Sequence, residues 1–167
     1  MIFQSQQTNK VTEVLNDLMK INNDRITGYQ LALTQSINLD ADLQDSFYEI
    51  ISEGVSYRQQ LILMIRKLDG NIKGAGNIIG KIYRAWTDLK VVFANKTQKA
   101  IITSCLYNEG IALHAYLAAL NTNSEHMSPE IFVLISEQEQ GLKKNYDLLR
   151  SYRDIRQTVD SSLMYFS

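Results

Sequence analysis

The chain has 167 residues, with 17 Lys and Arg against 18 Asp and Glu for a formal net charge of −1, and a single cysteine. That length suits one domain burying about two thirds of the surface its unfolded chain exposes. The near-neutral balance gives no global field for nucleic acid or an anionic membrane, and one cysteine makes neither an internal disulfide nor a thiolate metal cluster.

The opening MIFQSQQTNK has no positive region followed by a long apolar run, and no stretch approaches the ~20 apolar residues of a membrane span. The expected setting is the cytoplasm, with no membrane partner. Pro129 is the only proline, and glycines gather between Gly70 and Gly80, so long uninterrupted helices are expected elsewhere. In the first segment Val11, Leu15, Leu18, Ile21, Arg25, Tyr29 and Leu33 follow steps of three and four. With Thr8 as N-cap they predict a helix over about 8–36. After a turn at Asn38, Asp40 caps a second helix, and Leu43, Phe47, Ile50, Gly54, Tyr57, Leu61, Ile65 and Leu68 carry it over about 40–69 to a stop at Gly70.

The next connection opens with a glycine-rich stretch. Ile79, Ile82, Tyr83, Trp86, Leu89 and Phe93 then share one stripe, which predicts a short amphipathic helix over about 79–94. Thr97 caps a third long helix, about 97–121, through Ile101, Cys105, Ala112, Tyr116 and Leu120. Ser128-Pro129-Glu130 starts a fourth, about 128–156, through Ile131, Ile135, Leu142, Tyr146 and Leu149. The tail at 157–167 contains Leu163, Met164, Tyr165 and Phe166, too apolar for a solvated end, and is expected to dock on the bundle or on a second subunit.

Several strings in this layout carry a resemblance: VLNDLMKINNDRITGYQ (Val14 to Gln30), GKIYRAWTDLK (Gly80 to Lys90), the run from Cys105 through Glu109 to Tyr116, and Gln140 to Asp154. Over about residues 10 to 156 the chain resembles a family of uncharacterised bacterial ferritin-like four-helix-bundle proteins. The resemblance implies an all-α fold, an antiparallel ferritin-like bundle with the short amphipathic helix inserted in the crossover between helices two and three. It implies no activity.

A ferritin-like di-metal centre takes carboxylates from four helices, and two of those helices add a histidine three residues after a glutamate. Here Ile111 and Asn123 stand three residues before the two histidines, His114 and His126. Tyr146 stands where the relatives carry histidine, and Gln30 where a carboxylate is common among them. Near mid-helix lie Asp24, Arg25, Glu53, Tyr57, Glu109, Glu139 and Tyr146. One reading makes them a satisfied polar layer, with Arg25 balancing a carboxylate and no cofactor. The other builds a divalent-metal site on Glu53, Glu109 and Glu139.

Gly74 to Gly80 has GxGxxxG spacing but follows a helix, so it reads as a hinge and not as a phosphate loop. The lysines and Arg84 around it, with Tyr83 and Trp86, form a basic strip; solvation of that strip is preferred over nucleic-acid binding. No serine, cysteine or threonine stands in a triad or nucleophile-elbow context. The sequence therefore favours a non-enzymatic bundle acting through self-assembly, expected as a dimer, or through partner binding at Tyr83, Arg84, Trp86 and Lys90. A metal-binding or redox protein using the central carboxylates is the alternative.

Overall fold

The computed structural model describes residues 2–36, 38–73 and 97–166. The helix expected at 79–94, and with it Tyr83, Arg84, Trp86 and Lys90, lies outside the described residues. Within them the regular structure is helical: α1 (Ile2–Gln35), α2 (Ala41–Lys67), α3 (Gln98–Asn123), a 3-10 turn at Ser124–His126 and α4 (Pro129–Tyr165).

Two of the expected helix starts hold. Thr97 accepts from the Ala100 amide at 3.2 Å, and Ser128 accepts from the Ile131 amide at 3.4 Å with Pro129 in the first turn. Two caps fall differently. Nothing between Ile2 and Thr8 breaks a helix, so α1 begins six residues early and the Thr8 hydroxyl donates back to the Gln4 carbonyl at 2.8 Å. Asp40 occupies the N-cap position of α2, but its side chain makes no capping bond. It accepts instead from Gln98 Nε2 at 2.8 Å and pairs with Arg156, tying the starts of α2 and α3 to α4.

Asn38, at φ 78°, turns the chain between α1 and α2 in the left-handed region that asparagine tolerates. At the end of α2 the left-handed residue is Asp69 (φ 53°), and not the expected stop Gly70. The Asp69 amide donates to Arg66 O at 3.0 Å and the Gly70 amide to Ile65 O at 2.9 Å, closing a Schellman motif. Gly70 is needed for space: a Cβ there would come 2.6 Å from Thr12 Cγ2. Beyond it, buried Asn16 donates to Asn71 O and accepts from the Lys73 amide, fastening the departing chain to α1.

α1 packs chiefly on α2 and α3 on α4, with smaller contacts between α1 and α3 and between α2 and α4. Bonded pairs give the directions. Asn22–Tyr116 and Tyr29–Glu109 join α1 to α3, and Asn145–Glu53 and Tyr152–Ser46 join α4 to α2. In each set residue numbers rise along one helix as they fall along the other.

The apolar stripes meet in two clusters. One holds Tyr29, Ala32, Leu43, Phe47, Ile50, Ile101, Ile102, Cys105 and Leu149, with Tyr29 edge-on to Phe47 at 5.0 Å between ring centroids. The other holds Val11, Leu15, Leu18, Leu61, Ile65, Tyr116, Ile131, Ile135 and Leu142. Each fully buried large side chain contributes roughly 1.5–3 kcal/mol. On every helix the two groups are separated by a gap in mid-sequence, and polar side chains fill it.

Candidate functional site

The gap is spanned from α1. Arg25 is 4% exposed, and its guanidinium donates two hydrogen bonds from one edge to Glu109 of α3, Nη2 to Oε1 at 2.7 Å and Nε to Oε2 at 3.2 Å. Glu109 has no exposed surface, and its Oε2 also accepts from the Tyr29 hydroxyl at 2.8 Å. Arg25 Nη2 further reaches Glu53 Oε1 of α2 at 3.3 Å, and Nη1 donates to Asn22 Oδ1 at 2.9 Å. Glu53 Oε1 receives a second, shorter bond from Asn145 Nδ2 of α4 at 2.7 Å.

A neutral branch extends from Asn22. Its amide donates to the Tyr116 hydroxyl at 2.6 Å, which donates to Gln138 Oε1 at 2.7 Å, and Gln138 Nε2 donates to Gln60 Oε1 at 2.9 Å. All four helices therefore contribute to one connected layer. Such a layer stabilises only when its members are satisfied, because an unpaired buried polar group costs about 1–3 kcal/mol.

Charge explains which members lie deepest. One guanidinium faces two carboxylates, so one negative charge is left over. Fully buried Glu109 takes the bidentate pair, while Glu53, with 28% of its side chain exposed, keeps contact with water. The Tyr57 hydroxyl and Glu53 Oε2 lie side by side next to Gly141 of α4. That hydroxyl occupies the space a side chain at Gly141 would need, since a Cβ at Gly141 would fall onto it.

The same surroundings set the protonation states. Burial works against the Arg25 charge, but the Glu109 carboxylate and its hydrogen bonds more than offset burial, so Arg25 is held charged above its ordinary range. Burial, then the Glu109 charge, raises Tyr29; burial, then Glu53, raises Tyr57; burial raises Tyr116. Burial, then Glu109, pushes the Cys105 thiol up to about 12. These phenols and this thiol are neutral at physiological pH.

Of the residues singled out by sequence, Arg25, Glu53, Tyr57 and Glu109 converge. Asp24 does not: it lies on an exposed face of α1. Glu139 is half-buried, and no hydrogen bond joins it to Glu53 or Glu109. Tyr146 is half-buried on the outer side of the α3–α4 pair, where it leans on Gly110 and lines a shallow hollow of about 550 Å³ with Leu106, Tyr107, His114 and Arg153. Asn145, its neighbour, takes the inward place. Sequence reasoning missed Asn22, Gln138 and Asn145, whose signal was a polar side chain in the three-and-four register of the core.

The donor set does not fit a di-metal centre. A cation bridging Glu53 and Glu109 would need the position Arg25 holds, and His114 is exposed on α3. His126 lies in the 3-10 turn beside Glu125. Among the described residues no three His, Cys, Asp or Glu side chains group as metal ligands.

A family model described as a domain of unknown function, DUF2383, matches residues 10–122. That span includes the layer's members on α1, α2 and α3 and stops short of Gln138 and Asn145. No curated protein matches the chain.

Proposed function

This chain belongs to the DUF2383 family, and we propose that it is a non-enzymatic helical bundle that acts through self-assembly or partner binding, its polar interior serving to hold the helices in register. The observation that carries this reading is the Arg25 guanidinium between Glu109 and Glu53, which supplies the positive charge a metal would bring in an antiparallel ferritin-like bundle. The opposed directions of packed helices, with the long connection between α2 and α3, support that ferritin-like arrangement. A cytoplasmic dimer is the form the reading favours. No helix among the described residues is long and apolar enough to cross a membrane.

The competing function, metal binding by Glu53 and Glu109, draws on the partial exposure of Glu53. Elemental analysis after incubation with iron, manganese and zinc separates the two. We expect metal well below one equivalent per chain, unchanged in Glu109→Gln. One equivalent or more in the wild type, lost in the variant, would establish the competing function.

A further inference from the structure

Arg25 fills a place shaped to its own head group. Its Nε and Nη2 donate to the two oxygens of Glu109, Nη2 also to Glu53 Oε1, and Nη1 to Asn22 Oδ1. The acceptors thus come from α3, α2 and α1 and lie around the rim of a planar cation. Beside Nη1 runs the backbone of α2 at buried Gly54, where a Cβ would stand 3.9 Å from that nitrogen and 3.0 Å from Ile26 Cγ1. The carboxylates are also held by bonds that do not involve Arg25. Tyr29 donates to Glu109 Oε2 at 2.8 Å and Asn145 to Glu53 Oε1 at 2.7 Å.

These spacings suit a flat cation and not a spherical one. Each acceptor lies 2.7–3.3 Å from its own nitrogen, and each nitrogen stands a further C–N bond out from the centre of the group. Magnesium takes its oxygens at about 2.0–2.1 Å and calcium at about 2.3–2.6 Å from one point, so either ion would need the layer to contract from all sides. A lysine ammonium is a point charge where a fork is wanted, and it does not match acceptors spread over three helices.

We propose that the polar layer is a guanidinium-binding site, occupied in the native chain by Arg25, which outlasts removal of that side chain and then takes a free alkylguanidinium in preference to a metal ion or an ammonium. Glu53, with 28% of its side chain exposed, opens the layer to solvent. The proposal rests on the reading of the interior given above and deepens it by naming the ligand chemistry that the interior selects.

Thermal unfolding of full-length Arg25→Ala, followed by circular dichroism, tests it. The variant ends at Cβ, and ethylguanidinium supplies the missing atoms. Relative to the wild type in the same salt, its midpoint should rise with the logarithm of ethylguanidinium concentration, by about 3–6 °C once the ligand stands about tenfold above its dissociation constant. Magnesium, calcium, manganese and ethylammonium should leave it unmoved, and Arg25→Ala/Glu109→Gln should lose the response. Where Arg25→Ala is unfolded alone, the same titration reads the return of helix. A second variant, Arg25→Lys, should unfold below the wild type, since it keeps the charge and loses the fork. No response to ethylguanidinium, an equal response to ethylammonium, a larger response to any of the metals, or Arg25→Lys as stable as the wild type would each overturn the proposal. Those outcomes concern the vacated site alone, so the metal content of the wild type still decides the structural reading separately.

Discussion

Glu109 is cut off from water, yet its two oxygens accept three hydrogen bonds, two from Arg25 and one from Tyr29. This arrangement makes the tyrosines and Cys105 sensitive to alkali. Their pKa values are higher in the folded chain than the ordinary 10.0 and 9.0, so the folded state holds these protons more tightly than the unfolded state does. The resulting stability is complete below the unfolded values and drains away as pH climbs through them towards the folded ones. Stability measured by urea should thus be flat from neutral pH to about 9 and then fall. Cys105 should resist iodoacetamide in native protein at pH 8 and react on unfolding. Rapid native labelling would show that the thiol is neither buried nor raised.

At the scale of the element, α4 shows how one helix is shaped by its neighbours. Gly141 is a poor helix residue, by about 1 kcal/mol relative to alanine. It stands where the Tyr57 hydroxyl must lie. Gly141→Ala is expected to lose up to about 2 kcal/mol net, since overpacking by about 1–3 kcal/mol opposes a helix gain of about 1 kcal/mol. In a Tyr57→Phe background the same substitution should become neutral or stabilising. A stabilising Gly141→Ala in the wild type would mean that Tyr57 does not fill this slot. The helices themselves were legible in the sequence from apolar steps and caps, most clearly at Thr97 and Ser128-Pro129. Local signals erred where a neighbour decides the outcome. Asn145 and Tyr146 both fit the spacing between Leu142 and Leu149, and Asn145 turns inward because Glu53 waits there for a donor. The fourth helix, expected to end at about Arg156 with a tail at 157–167, runs on as helix to Tyr165.

At the scale of the molecule, two apolar clusters are joined through a layer of charge and amide. Arg25, Glu53, Tyr57 and Glu109 could be named from sequence as mid-helix polar residues at one level of a bundle. The bidentate bond between Arg25 and Glu109 could not, because it depends on how α1 and α3 face each other. Equilibrium urea unfolding of Arg25→Met, Glu109→Leu and the double variant tests most directly whether that bond holds the helices together. Each single change should cost about 3–5 kcal/mol by stranding a buried charge, and the double variant should regain most of the loss. Single variants within about 0.5 kcal/mol of wild type, the range of ordinary surface substitutions, would contradict a structural role for the pair.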